Sequence, residues 1–299
     1  MLNRAFKLVF LLSALVSVAA IILIIVFIFI EGSPAIAQIG LGNFIFGAKW
    51  NPGLVEGLPI EAVREYYGIL PMILSSLLSS IIAVILGTII GIMTAVFLAY
   101  IAPEKMRSFI ISAVNLMASV PSVVVGFFGM TIITGFIYNT FGTDHNLVDG
   151  FNLTAGCAVL TIMILPTIIS ISDDAIRSVS HEQYDGSMAL GASKLQSLFK
   201  VIIPAASPGI LAGVMLGIGR AIGETMAITM VIGNSVRFPF NPLQSVRTLT
   251  GNIAFEMGYT EQGGLHQQAL FATGIVLLVF IMIINISIRL ILTRQNKKK

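Results

Sequence analysis

Of the 299 residues, 17 are Lys or Arg and 14 are Asp or Glu, so charged side chains make up 10% of the chain, well under the roughly 25% of an average soluble domain. Apolar side chains supply 56% and the mean hydropathy is +0.96, more than cores of this size can hide beneath a charged surface, which excludes a water-soluble enzyme. The net charge of +3 does not point to nucleic acid, because the basic residues sit beside long apolar runs and not on a soluble face. Cys157 is the single cysteine, so there is no intrachain disulfide framework.

Charge-free stretches follow in chain order: Leu8 to Ile30 (23 residues), Tyr66 to Pro103 (38), Ser108 to Thr143 (36), Phe151 to Ser172 (22) and Gln267 to Ile288 (22). A sixth, Pro204 to Val236, is interrupted by Arg220 and Glu224. About 20 apolar residues cross the hydrocarbon core as a helix, so the expectation is an all-α integral membrane protein with six transmembrane helices. Pro71 and Pro121 mark helix starts or breaks. The first apolar run is longer than the roughly 7–15 residues of a cleaved signal sequence, so it is expected to stay as an anchor even though Ala35-Ile36-Ala37 resembles a cleavage site. With both termini in the cytoplasm, 12 Lys and Arg fall inside and four (Lys49, Arg64, Arg237 and Arg247) outside, the asymmetry that orients membrane proteins.

These spans divide the chain into residues 1–30 (N-terminus and first helix), an external loop 31–65, a five-helix region 66–292 containing a polar cytoplasmic loop 173–206, and a basic tail 293–299. The external loop has net charge −2, four Glu against Lys49 and Arg64, and holds the only tryptophan, Trp50. It reads either as an interfacial anchor or as a cap that meets an external partner. A second external loop, Arg237 to His266, contains Pro239, Pro242, Gly263 and Gly264 and reads as irregular.

Several chemistries are absent. No Gly-Lys pair occurs, hence no Walker-type phosphate loop, and the three histidines are scattered with no metal-binding spacing. No catalytic or metal-ligating residue is expected. Gly217, Gly219 and Gly223 read as small residues for close helix packing. Arg220 and Glu224 are the only charges inside a span and lie four apart, so a continuous helix would place them on one face with Gly213, Gly217 and Ala227. Such charges at membrane depth cost about 2.5–3.5 kcal/mol each on insertion scales and usually mark a pathway; a self-neutralising structural pair is the other reading. Thr225, Thr229 and Asn285 are polar enough to line a path or to bond neighbouring helices.

The cytoplasmic loop carries two capping-box patterns, Ser180 with Gln183 and Ser193 with Gln196, with Gly191 between them where a left-handed helix end needs glycine. Tyr184 and Met188 on the first helix, and Leu195, Leu198, Phe199 and Ile202 on the second, form apolar stripes. The expectation is a bent pair of amphipathic helices ending at Pro204. Asp185-Gly186-Ser187, three residues, Gly191, nine residues and Val201-Ile202-Ile203-Pro204 resemble the EAA loop of ABC-importer permeases. The departures are Asp for Glu, Gly and Ser for two alanines, and Val and Ile for two aliphatics; Gly186 alone changes the character, at roughly 1 kcal/mol of helix propensity.

Longer segments narrow the likeness. Glu31-Gly32-Ser33-Pro34-Ala35, Trp50-Asn51-Pro52, Tyr67-Gly68-Ile69-Leu70-Pro71, Pro121-Ser122-Val123-Val124, Ile164-Leu165-Pro166-Thr167 and Gly219 to Thr225 resemble the phosphate-specific ABC transporter permease of the PstC type. That resemblance implies the type I ABC-importer architecture and a multi-pass location in the cell (inner) membrane. It also implies a second permease of the PstA type, two ATPase subunits and an external phosphate-binding protein as partners. By the same resemblance Arg220, Glu224 and Thr225 belong to the substrate pathway, and Asp185, Gly186, Ser187, Gly191 and Pro204 to the loop that couples to the ATPase. No cofactor is expected on this chain; ATP and Mg belong to the partner. An Arg-Glu pair does not distinguish phosphate from sulfate, molybdate or tungstate, and an ion-coupled secondary transporter is the alternative from another class.

Overall fold

A segment that crosses a membrane must satisfy each backbone N–H and C=O within itself, so the long apolar runs have helix as their only open solution. In the computed structural model, which describes residues 2–54, 59–145 and 149–296, helices are joined by short connections and by one longer irregular segment before residue 249. Six helical stretches among the described residues are long and apolar enough to span: Phe6–Ile39, Leu70–Tyr100, Ser122–Gly142, Leu153–Arg177, Lys194–Gly223 and Leu265–Ser287. The lysines of the basic tail, Lys297 to Lys299, lie outside the described residues.

The contacts divide the chain into two units, residues 1–70 with 252–280, and 71–251 with 281–299. The first begins with α1 (Leu2–Ile39), which runs nine residues past the boundary expected at Ile30. After it come α2 (Leu41–Phe46) and α3 (Ile60–Val63). Gly32 on α1 lies where an added Cβ would stand 2.7 Å from the Ala272 backbone nitrogen, and Phe27 meets Phe271 edge to face. Trp50 is only 6% exposed. Its indole N–H donates to Glu256 Oε2 at 2.8 Å, its ring packs on Tyr67, and His266 Nε2 reaches the same carboxylate oxygen at 2.8 Å. Trp50 is therefore part of this unit's interior and not the interfacial anchor that the sequence allowed. The motif Tyr67-Gly68 also has a packing reason, since a Cβ on Gly68 would collide with the Gly47 backbone.

The second unit contains α4 (Leu70–Tyr100), α5 (Glu104–Ser119), α6 (Ser122–Phe128), α7 (Thr134–His145) and α8 (Leu153–Arg177). It continues with α9 (His181–Ala189), α10 (Lys194–Ser197), α11 (Ile203–Gly223), α12 (Met226–Thr229) and the start of α13 (Leu249–Glu256). The chain then passes into α14 (Leu265–Asn296), whose first half belongs to the first unit. The segment from Arg237 to His266, expected to be external and irregular, thus contains α13, with residues 237–248 and 260–264 irregular on either side of α13 and the 3-10 turn that follows it.

Helix α8 is the centre of the second unit. Its Ile164 and Ile168 fill the notches left by Gly87 on α4 and Gly217 on α11, where added Cβ atoms would lie 2.8 Å and 3.1 Å from them. Gly217 and Gly213 therefore do allow close helix packing, whereas Gly219 and Gly223 meet nothing within 4 Å.

The stretch expected as one span over 108–143 is two helices. Proline disfavours the helical region for the residue before it; Val120 is extended (ψ 128), as is Pro121 itself (ψ 141), and α5 stops at Ser119. Arg107 reaches Asp173, Val114 packs with Ile169, and Met117 meets Met163 across a cavity, so α5 runs beside the second half of α8. Beyond the break, Gly129 touches Val159 and Ile137 packs with Ala155, so α6 and α7, joined by a π turn over Gly129–Ile133, follow the first half. The third crossing is thus α6 and α7, Ser122–Gly142, and α5 is a separate helix that precedes it across the break at Pro121.

Candidate functional site

The helix of the fifth crossing stops sooner than the sequence predicts, and here the structure corrects the sequence. Helix α11 ends at Gly223, and Glu224 is extended (φ −70, ψ 129) instead of forming the next turn beside Arg220. Among the described residues the two side chains make no ion pair. The Ala227 N–H donates to Glu224 Oε1 at 3.0 Å, so the carboxylate caps α12, and the Thr250 hydroxyl donates to the Glu224 carbonyl at 3.0 Å. Glycine at 223 weakens the helix, while a carboxylate at an N-terminus satisfies a first-turn donor and favours the dipole. Together these outweigh another turn of α11.

Arg220, half-buried one turn before the break, donates from Nη1 to Thr167 Oγ1 at 3.3 Å. It lines a cavity of about 60 Å³ with Met117, Val120, Val125, Ile162 and Met163. That space has room for a few water molecules. Its wall includes both sides of the break at Pro121, Met117 and Val120 before it and Val125 after it. Pro166 sits inside α8 and, lacking an N–H, leaves the Ile162 carbonyl without its helical donor. Thr225 shares the break; its hydroxyl lies 3.3 Å from the Gly223 carbonyl, and its own carbonyl accepts from Thr229 Oγ1 at 2.6 Å. The two breaks adjoin, for a Cβ on Gly126 of α6 would stand 2.8 Å from Ala227 Cα of α12. Sequence reasoning missed Thr167 and the apolar wall, although Thr167 follows the proline in a segment already singled out.

The residues expected to form the coupling loop gather at the opposite end of α11, about 24 Å from Arg220 along the sixteen residues from Pro204. Ser180 and Ser193 cap α9 and α10; Ser193 and Gln196 form the full reciprocal box, whereas Ser180 Oγ accepts from Glu182 N and Gln183 does not reciprocate. Gly191 adopts φ +88. Its N–H donates to the Met188 carbonyl at 3.0 Å and that of Ala192 to Ser187 at 3.2 Å, the two bonds of a left-handed helix end. Asp185 and Gly186 are exposed, Ser187 is half-buried, and Leu190 beside the bend is 91% exposed.

The expected end of the second helix at Pro204 is not found. The helix runs from α10 through a π turn, Leu198–Ile202, into α11, and the wider turn absorbs the hydrogen bond and the space that Pro204 denies to residue 200. It also divides the expected stripe: Leu198 and Ile202 are buried against Val96, Ile176 and Val179, while Leu195 and Phe199 face outward.

Comparison with known proteins fits this architecture. Residues 87–297 match the family described as binding-protein-dependent transport system inner membrane component. The chain is 35% identical to the probable ABC transporter permease protein YqgH of Bacillus subtilis, over 95% of this chain and 88% of that one. It is 31% identical to the phosphate transport system permease protein PstC of Haemophilus influenzae, over 86% and 83%. Among solved structures, a bacterial ABC transporter for import of the polysaccharide alginate aligns over 98% of both chains with a TM-score of 0.61 at 17% identity. The methionine transporter MetNI aligns over 74% of this chain and 92% of its own with a TM-score of 0.58 at 19% identity; these two show the fold. The ion-coupled alternative falls away with the family match, and the chain belongs to the inner membrane components of binding-protein-dependent transport systems, as a multi-pass permease subunit of an ABC importer.

Proposed function

We propose that this permease passes inorganic phosphate, delivered by an external binding protein, and that it works beside a second related permease over two copies of an ATPase that holds the nucleotide and magnesium. In this reading both termini face the cytoplasm, in keeping with the 12 to 4 distribution of basic residues. The loop around Gly191 then faces the ATPase, with Asp185, Gly186, Ser187 and Pro204 in the docking segment and Leu190, Leu195 and Phe199 offering exposed apolar contacts. Relatives named phosphate permeases at about 30% identity over most of the chain support the choice of substrate.

The observation that carries it is Arg220. Its guanidinium sits beside two helix breaks and bonds a neutral hydroxyl, Thr167, and among the described residues no carboxylate pairs with it. Phosphate bears one to two negative charges near neutral pH, and a guanidinium fork matches two of its oxygens. Thr225 and Glu224 sit at the same break; Glu224 shapes it by capping α12 rather than by holding the arginine. The fork fits sulfate or molybdate as well, so competition by these anions belongs in the test.

Uptake of radiolabelled phosphate at matched membrane levels tests the reading. Arg220→Lys keeps the charge but loses the fork, so uptake should fall at least tenfold with the assembly intact, and Arg220→Gln should fall further. Adding Glu224→Gln to Arg220→Gln should restore nothing. A lysine variant with normal uptake, or a double variant that recovers it, would move Arg220 from the pathway to the scaffold.

A further inference from the structure

Helix α9 is held to the rest of its unit by few side chains. None of its residues is buried, and Tyr184, Ser187 and Met188, at i, i+3 and i+4, form its half-buried side. The helix packs on α10 and on the π turn Leu198–Ile202. Tyr184 is the residue of α9 that joins the apolar cluster of Val96, Ile176, Leu198 and Ile202, drawn from α4, α8 and the π turn, and Tyr100 joins the same cluster from the end of α4. The two rings meet with centroids 5.1 Å apart and planes at 37°. His181 stands edge-on to the Tyr100 ring at 6.3 Å. Tyr100 therefore meets α9 at i and i+3, the spacing of one helix face.

What lies behind Tyr100 makes this contact informative. Tyr100 is the last residue of α4, one uninterrupted helix from Leu70. Gly91 and Gly87, roughly 14 and 20 Å along that helix from Tyr100, receive Ile168 and Ile164 of α8 into their notches. The same stretch of α8 carries Thr167, which bonds Arg220, and Ile162 and Met163, which line the cavity. A displacement of α9 thus has two ways into the unit. One follows the chain through the bend at Gly191 into α10 and α11. The other passes sideways through Tyr184 into α4. That second route consists of packed rings and notched helix surfaces, and close-packed interiors transmit displacement because they compress little. Aromatic pairs also prefer particular geometries, so the rings resist sliding past each other.

We propose that Tyr184 and Tyr100 are positioning residues for transport, a joint through which the position that the ATPase imposes on α9 is passed to α4 and from there to the wall of the Arg220 cavity. This rests on the reading above that the loop around Gly191 faces the ATPase, but not on which oxyanion is carried. The contact is between rings, so the joint does not need the tyrosine hydroxyls.

The experiment reconstitutes the complete transporter, with its second permease, ATPase and binding protein, in proteoliposomes and measures phosphate taken up and ATP hydrolysed in the same sample. Tyr184→Ala and Tyr100→Ala should each lower the phosphate moved per ATP about fivefold or more while hydrolysis stays within about twofold of the parent, and Tyr184→Phe and Tyr100→Phe should keep the parent ratio. The double alanine variant should be no worse than the poorer single one, since both changes remove the same contact. An unchanged ratio, including one in which uptake and hydrolysis fall together, would overturn the proposal, because the rings would then only support assembly. So would a double variant whose loss is the product of the two single losses. If an alanine variant fails to assemble, Tyr184→Leu and Tyr100→Leu, which keep apolar bulk in the cluster but not the rings, carry the same expectation. Gly191→Leu is measured beside them. A normal ratio there would show that the loop does not couple to the ATPase, and the joint would fall with that reading, whereas a loss there with normal tyrosine variants removes the joint alone. Sulfate or molybdate replaces phosphate in the assay where the parent prefers it, and the expected ratios are the same.

Discussion

The pairing of Arg107 with Asp173 gives a test of how α5 is held. Asp173 is 2% exposed and Arg107 18%, with 2.8 Å between Nη2 and Oδ2. At an effective permittivity near 20 that distance gives an attraction of about 6 kcal/mol, and the loss of hydration offsets it by several kcal/mol per ion. The intact pair is therefore close to neutral against an apolar replacement, while either partner alone is costly. The two single changes are not equivalent. Arg107→Leu strands a buried carboxylate whose other oxygen already has no hydrogen-bond partner, and should cost about 3–5 kcal/mol. Asp173→Leu leaves an arginine that still has Glu104 at 3.6 Å and some access to solvent, and should cost about 2 kcal/mol. Arg107→Leu with Asp173→Leu should return to within about 1 kcal/mol of the parent. The assay is the temperature at which the detergent-extracted, assembled transporter loses its monodisperse peak. The expected order of stability is parent and double variant, then Asp173→Leu, then Arg107→Leu. A double variant as unstable as Arg107→Leu would refute the argument, since the loss could not then come from an uncompensated charge.

Two further outcomes are expected. Gly191→Leu places a side chain at φ +88, a conformation costing roughly 1–2 kcal/mol outside glycine, so the bend should shift and ATP-driven uptake fall at least fivefold with normal membrane levels; full uptake would remove the coupling role. A cysteine at Asn43 in whole cells should react with a membrane-impermeant thiol reagent while one at Gln295 should not, and the reverse labelling would overturn the orientation.

Much of the architecture is legible from residue patterns because the membrane leaves few solutions. Long charge-free runs have to be helices, so the count of six needs nothing beyond hydropathy and loop charge. The bend at Gly191 and the Ser193 to Gln196 box are local, and their chemistry is complete within a few residues. The failures come from contacts and turns that the residue pattern does not display. The spacing of Arg220 and Glu224 predicts a shared face only if the helix continues, and it ends because Glu224 finds a better use for its carboxylate on Ala227 and for its carbonyl on Thr250. Trp50 reads as an interfacial anchor until Glu256 and His266, some two hundred residues away, supply polar partners that draw it inside. Pro204 reads as a stop because the widened turn that lets a helix pass through proline has no signature of its own.

The two interruptions bear on why this unit is built as it is. Each leaves backbone groups without helical partners, and that is tolerated where protein or water takes over. Near Glu224 protein does so, through Thr250, Thr229 and the cap on Ala227. At Val120 and Pro121 the backbone is extended and borders the Arg220 cavity. A subunit that served only as an anchor would be more stable with both helices continuous, since each break forfeits bonds and must be re-satisfied by side chains gathered from elsewhere. Interruptions that adjoin across Gly126 and Ala227, with a half-buried arginine beside them, are instead what a passage for an anion requires: polar groups at depth, none bound so firmly to one another that a passing solute cannot replace them. On the reading proposed here the helix breaks and Arg220 form one device, and the weak 3.3 Å bond to Thr167 is part of it, because a guanidinium tied to a carboxylate would have no charge left to offer.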